Sequence, residues 1–351
     1  MRTRAALLSE FGGPEQFHLE TTDLECSAPD EAIVRVMACG INFHDIDIRR
    51  GASGRQIRLP LILGREIAGS IEVPARDGSG PPVGTQVAVL YFAACGSCEN
   101  CITGADHMCR QLDFFGVTRN GGYAQHAVVP TRAIMPLPDG LDPVLAAAGQ
   151  ITFSTALHSI LERGSLQPGE TVLITGATGG VGSASIQVAL KAGATCLAAA
   201  GTPEKAQKAI ELGASTAFVL SAGGLDPYGE TFRQERSERV VDLVVDTAGG
   251  DYLVAALSLL KPGGRVVIVG AHGGEVVPVD LVNIFRNEHS LVGSARAPRR
   301  VIEQALSGIA QGVYTPWVTE RGPLGSLSQI HREMEERLLV GKAVIEPNQT
   351  Q

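Results

Sequence analysis

Four cysteines fall within one short stretch: Cys95-Gly-Ser-Cys98-Glu-Asn-Cys101, followed by Cys109. Thiolates this close in sequence can wrap one tetrahedral zinc ion at about 2.3 Å each. All four positions would then be protein sulfur, so the ion would be closed to substrate and would stabilise its lobe without doing chemistry. The competing reading is four unmetallated buried thiols. Cys26 and Cys196 stand alone and read as packed side chains.

A second chemistry-bearing segment is Thr171-Val-Leu-Ile-Thr-Gly-Ala-Thr-Gly-Gly-Val-Gly182. It reads as a strand, a glycine turn and the start of a helix. Such a turn lets backbone approach a pyrophosphate while the amides of the helix end donate to it. The candidate cradle is Gly176, Thr178, Gly179, Gly180, Val181 and Gly182. In the G-x-G-x-x-G fingerprint the first position is Ala177, with Gly179 and Gly182 at the other two. The alternative is a turn that merely packs helix on strand.

The end of the next strand reports on the nucleotide. An acid there would bond the ribose 2′-hydroxyl and repel a 2′-phosphate. The text is instead Ala198-Ala199-Ala200-Gly201-Thr202-Pro203-Glu204-Lys205. Thr202 and Lys205 could receive a phosphate, so NADPH is expected over NADH. Lys205 has a plainer reading as a solvated helix-face charge.

These segments need elements to hold them. The first third reads as short strands, at Ala32 to Met37, Ile67 to Val73 and Val87 to Tyr91. From Thr171 strands alternate with helices. Strands are expected at 171–175, 194–200, 216–220, 240–246 and 265–270, with helices at 181–192, 203–212 and 252–260 between them. A polar stretch covers 221–238. Alternation of this kind implies crossover connections and a parallel sheet buried on both faces. A helix at Arg299 to Gln311 and a strand near Ala343 to Ile345 follow.

The 351 residues suggest two domains, and 44% hydrophobic with 19% charged residues is ordinary for a globular chain. A net charge of −8 with no basic stripe argues against a nucleic-acid partner. No stretch reads as about 18 uncharged apolar residues, so no membrane partner is expected. The N-terminus turns polar at Ser9-Glu10, too early for a signal-peptide core, which gives a cytoplasmic expectation.

Taken together, the glycine turn and cysteine lobe resemble the medium-chain dehydrogenase/reductase superfamily. The resemblance runs over essentially the whole chain. It includes Gly64-Arg65-Glu66-Ile67-Ala68-Gly69, Val83-Gly84-Thr85-Gln86-Val87, Gly121-Gly122-Tyr123-Ala124, Thr155-Ala156-Leu157, Val241 to Asp246 and Leu260-Lys-Pro-Gly-Gly264. It implies an α/β architecture: a Rossmann doubly wound sheet at 154–293 inserted in a GroES-like β-rich catalytic domain at 1–153 and 294–351. The zinc lobe would lie at about 93–112. It further implies Thr155, Ala248 and Gly270 at the cofactor, one structural zinc per chain, and a homodimer or homotetramer.

The resemblance breaks at the active site. Zinc alcohol dehydrogenases of this superfamily hold a second, catalytic zinc on an early Cys, a His beside a Glu, and a Cys or acid before the nucleotide domain. Cys39 matches the first position, but Arg65 and Ile151 stand at the others, with Gln150 beside the latter, and the relay hydroxyl position is Ile41. A guanidinium has no lone pair for a metal. The stretch Cys39-Gly-Ile-Asn42-Phe-His44-Asp45 resembles the zinc-free quinone oxidoreductase and enoyl reductase branches, where Asn42 would help hold the nicotinamide ribose.

Without a metal, hydride addition to a conjugated C=C is easier than carbonyl reduction, because the developing charge can be held by hydrogen bonds or one cation. Arg65 is expected either to take that charge or to be neutralised by Glu66. His44 and Tyr91 are candidate proton donors, each with an alternative reading as a packed residue. The leading expectation is an NADPH-dependent reductase of an activated double bond or quinone, acting on a small molecule. One alternative is an alcohol dehydrogenase with zinc on Cys39 and Glu66, helped by His44. Another is a nucleotide-binding protein without turnover.

Overall fold

The computed structural model describes residues 1–221, 224–227 and 240–349, so most of the polar stretch 221–238 lies outside the described residues. The chain forms two compact units. One is Met1–Ile151 with Pro298–Gln351; the other is Thr152–Ala297.

The first unit is built round the ten-residue strand Glu31–Gly40. Alternation is visible only at its middle, where Arg35 and Met37 face out; the rest is buried, as suits a strand with neighbours on both edges. It pairs antiparallel with Glu66–Val73, with His126–Pro130 and with Lys342–Ile345. The register matters for the site. Gly40 lies opposite Glu66 on one side and opposite Val344 on the other. The last strand of the chain is thereby laid beside the first long one, at the end where the strand runs out into helix Phe43–Arg49. Val34, Val36, Ala38, Cys39, Ile67 and Val344 are fully buried around this junction, each large aliphatic contributing about 1.5–3 kcal/mol by leaving water.

The second unit carries a seven-stranded sheet. Its order is Gly224–Pro227, Thr216–Ser221, Thr195–Ala200, Thr171–Thr175, Val241–Asp246, Leu260–Ile268 and Ser290–Gly293. Every neighbouring pair is parallel except the outermost, Thr216–Ser221 with Gly224–Pro227. Chain order reverses between Thr171–Thr175 and Val241–Asp246, the switch point beyond whose carboxyl ends ligands bind in open α/β sheets. The five expected strands and three expected helices are present within a few residues of their expected ends, and the two edge strands, Gly224–Pro227 and Ser290–Gly293, are additions.

One expectation needs correcting. A helical run from Pro143 to Arg163 is 21 residues long and apolar enough by composition to cross a bilayer, but 78% of its apolar window is buried within the protein. That burial is the mark of a core helix. The sequence carries no helical signature there, because Pro143–Leu157 is apolar nearly all round and leaves no polar face to mark a 3.6-residue period.

Candidate active site

In the nucleotide unit, strand Thr171–Thr175 ends at Gly176, and helix Gly180–Lys191 begins after Gly179. Gly176 has φ +60, which suits a residue without Cβ. A Cβ at Gly182 would lie 2.2 Å from the Gly176 carbonyl, so this glycine exists to let helix pack on strand. A Cβ at Gly179 would meet nothing nearer than 3.5 Å. The turn is open there, and the amides of Gly180, Val181 and Gly182, in the first helical turn, have no intrahelical acceptor. An open cradle of amides fits a pyrophosphate. Thr178 is buried within the turn. Ala248 and Gly270 follow the carboxyl ends of strands Val241–Asp246 and Leu260–Ile268, and Thr155 lies on the helix Pro143–Leu157.

At the end of Thr195–Ala200, the Thr202 side chain caps helix Pro203–Glu211 by accepting from the Lys205 amide at 3.3 Å. Two neighbours were missed in the sequence. The Glu204 carboxylate is held below its usual range by a hydrogen bond from Thr202, placing an acid on the same turn. The Tyr252 hydroxyl lies 3.5 Å from where a Cβ at Gly201 would stand.

In the first unit the four lobe sulfurs all lie within 4.8 Å of one another. Cys98 Sγ is 3.5 Å from Cys101 Sγ and 3.8 Å from Cys109 Sγ, and Cys95 Sγ is 3.9 Å from Cys101 Sγ. A tetrahedron with 2.3 Å bonds has edges of about 3.8 Å, so the donor set fits zinc. Backbone amides of Cys98 and Gln111 point at Cys95 and Cys109 sulfurs, respectively. Amides of Ser97 and Cys98 bring the Cys95 thiol down to about 6, whereas burial and the neighbouring thiols push Cys101 up to about 12.

The catalytic candidates separate into two groups. Glu66 is fully buried, and its carboxylate is completely engaged. Oε1 accepts from the Ile151 amide at 2.8 Å; Oε2 accepts from Asn42 Nδ2 at 3.2 Å and pairs with Lys342 Nζ at 2.6 Å. Lys342 Nζ also donates to Asn42 Oδ1 at 2.7 Å. The cation paired with Glu66 at 2.6 Å is Lys342, a residue absent from the expected set.

Arg65 belongs to the second group. Its guanidinium stands over the Tyr91 ring at 5.5 Å, and its charge lowers the carboxyl of Asp45. Asp45 is fully buried, and that burial, the dominant influence, leaves it above its ordinary range. Asp45 Oδ2 accepts from the Asn42 amide at 2.9 Å and from the Tyr123 hydroxyl at 3.0 Å. Tyr123 in turn lies 3.4 Å from His331 Nε2. Burial raises Tyr123 well above its ordinary value and depresses His331 to about 3, with Arg49 adding to the latter. Neither Tyr123 as a side-chain partner nor His331 was foreseen.

Cys39 is buried, and its thiol is pushed well up by that burial. A Cβ on Gly64 or Gly122 would come within 2.9 Å of its sulfur, so backbone closes round the thiol. Among the described residues, Cys39, His44 and Glu66 do not form a group close enough to share an ion. His44 sits part-exposed on its helix, 3.8 Å from Asp47. Tyr91 is buried and packs edge-on against Phe92. Ile41 is buried, and Gln150 donates to the Ile67 carbonyl at 3.1 Å.

Comparison with known proteins agrees with this architecture. Residues 28–139 match the family described as Alcohol dehydrogenase GroES-like domain, and residues 180–311 match Zinc-binding dehydrogenase. A quinone oxidoreductase of Rattus norvegicus is 30% identical over 340 residues, covering 94% of this chain and 93% of its own. An acryloyl-coenzyme A reductase of Sulfurisphaera tokodaii is 28% identical, covering 95% and 98%. A solved NAD-dependent alcohol dehydrogenase superposes with a TM-score of 0.88 at 31% identity, covering 98% of this chain and 99% of that one. With a GroES-like unit, a Rossmann unit opening on a glycine cradle, and these relatives over nearly its full length, the chain belongs to the medium-chain dehydrogenase/reductase superfamily and is a nicotinamide-dependent oxidoreductase.

Proposed function

We propose that this enzyme reduces an activated C=C bond, or a quinone, of a small molecule with NADPH and without a catalytic metal. The carrying observation is that Glu66 is spoken for by Lys342, Asn42 and the Ile151 amide, while Arg65 replaces the ligand that a catalytic zinc would need. Nicotinamide, when bound, supplies the hydride. For an enone the hydride goes to the β-carbon and a proton to the α-carbon, a two-electron reduction. The charge in between gathers on the carbonyl oxygen, where the Arg65 guanidinium is the electrophile. His44 or water delivers the proton; Tyr91, buried under Arg65, is a poorer donor. The names of the quinone oxidoreductase and acryloyl-coenzyme A reductase relatives favour such substrates.

Support for NADPH is Lys205 and the lack of an acid at the strand end; Glu204 opposes it, so tighter binding of NADH than NADPH would reverse this choice. One zinc per chain, in the four-cysteine lobe, is part of the same reading. A homodimer is too: Phe285 and Leu291 are exposed beside the sheet edge Ser290–Gly293, and light scattering would report the assembly.

The test is NADPH consumption over a panel of enones, enoyl thioesters and quinones. Arg65→Ala should lower kcat by about 10²–10³-fold, the usual effect of removing one charge-stabilising donor. Unchanged turnover would take Arg65 out of the role. Alcohol oxidation with a second bound zinc would replace the reading with the alcohol dehydrogenase one, and no consumption by wild type would leave nucleotide binding alone.

A further inference from the structure

Lys342 lies on the last strand, Lys342–Ile345, and is 300 residues from Asn42 in sequence. Strand register alone brings it there, since Gly40 faces both Glu66 and Val344. Three polar groups then close a ring. Lys342 Nζ donates to Glu66 Oε2 at 2.6 Å and to Asn42 Oδ1 at 2.7 Å, and Asn42 Nδ2 donates to the same Glu66 oxygen at 3.2 Å. Lys342 and Glu66 are 5% and 0% exposed at their side chains, so neither charge is compensated by water.

The ring decides a matter that an amide cannot decide for itself. A carboxamide presents a donor at one end and an acceptor at the other, and the two ends are nearly identical in shape. Here the ammonium can only donate, so it must face Oδ1; the carboxylate can only accept, so it must face Nδ2. Asn42 is also the residue at which the chain leaves the sheet to enter helix Phe43–Arg49, and its own amide binds Asp45. Fixing its side chain therefore fixes the junction that carries Asn42, His44 and Asp45.

We propose that Lys342 is a positioning residue of the reductase site: its ammonium cancels the charge of Glu66 and locks the direction of the Asn42 amide. The role rests on the proposed function only for its kinetic readout. Without the ammonium, Glu66 is a buried carboxylate with no counter-ion, and Asn42 Oδ1 loses its donor, so the amide is held from its Nδ2 end alone, by Glu66 at 3.2 Å and the Gly40 carbonyl at 3.4 Å. With Gln at 66 and Met at 342, both the charge and its partner are gone.

The experiment compares wild type, Glu66→Gln, Lys342→Met, the double variant and Lys342→Arg. Lys342→Met should lower the melting midpoint by about 5 °C or more, because removing one partner strands a buried charge. The double variant should recover most of that loss, a coupling that independent residues lack. In turnover, Lys342→Met should lose about tenfold or more in kcat while substrate KM changes less than about threefold, the pattern of a misplaced rather than a missing contact. Lys342→Arg should restore part of kcat. If the melting shifts of the two single variants simply add, the proposal is overturned whatever the substrate proves to be. If they couple but kcat is untouched, the pair is structural only and the positioning role falls. Should Lys342→Met fail to fold, the double variant still decides: wild-type kcat in that protein overturns the lock. An enzyme inactive on the whole substrate panel would sink the reductase reading while the melting cycle still judged the ion pair.

Discussion

The cysteine lobe and the Asn42–Glu66–Lys342 ring are both polar knots in the same unit, built on opposite plans. The lobe collects four like groups from a single loop, and its sulfurs all lie within 4.8 Å of one another, three on part-buried residues and the fourth on the buried Cys109. Thiols at that distance repel as they ionise, so the arrangement makes sense around a cation brought from outside. The ring gathers unlike groups from segments 300 residues apart, and it carries its own cation. One site fits a metal; the other has no further valence to offer it.

The largest expected difference between the two lies in their response to losing one member. Cys98→Ser leaves three thiolates, and structural zinc sites supply folding energy outright. Zinc measured on the purified protein should fall from one per chain to none, and the melting midpoint should drop by about 10 °C or more, a loss of several kcal/mol. Retention of one zinc in this variant would move the ion out of the lobe and erase the contrast.

A smaller effect is expected beneath the ring, where Asp45 and Tyr123 form a buried pair that involves no cation from solution. Tyr123→Phe removes the hydroxyl that reaches Asp45 at 3.0 Å. The buried carboxyl then loses a donor, at a cost of about 1–3 kcal/mol in denaturant unfolding, with zinc content unchanged. A variant as stable as wild type would mean that Asp45 draws its compensation from Arg65 and the Asn42 amide alone.

The same contrast explains what could be read in the sequence. The lobe and the glycine turn are each contained in one short segment whose residue types name the chemistry. The parallel sheet was legible because its strands are continuous apolar runs between helices with a polar face. Lys342 was not legible. A lysine near the end of a chain looks like any surface lysine until strand register sets Val344 beside Gly40. Arg65 stands out in the sequence as a cation in a metal position, but nothing in the sequence marks Lys342 as the partner of its neighbour Glu66. Glu66 opens strand Glu66–Val73 and pairs with Lys342, whereas Arg65, in the turn just before that strand, stands over the Tyr91 ring and lowers the carboxyl of Asp45.

The gentlest way to sharpen the comparison uses pH, through His331. This ring is fully buried, lies 3.4 Å from the Tyr123 hydroxyl, and is depressed to about 3 by burial and by Arg49. In the unfolded chain it titrates near the ordinary 6.5. Between those two values the unfolded state binds a proton that the native state refuses, so stability falls as pH falls through the window, and above it the group contributes no pH dependence. His331→Gln abolishes the titration. From pH 7 to pH 5 wild type should therefore lose about 2 kcal/mol more than the variant in denaturant unfolding, since each unit below 6.5 is worth about 1.4 kcal/mol. Parallel losses in the two proteins would show that His331 charges in place, and that the floor under Tyr123, like the lobe, accepts a cation from solution.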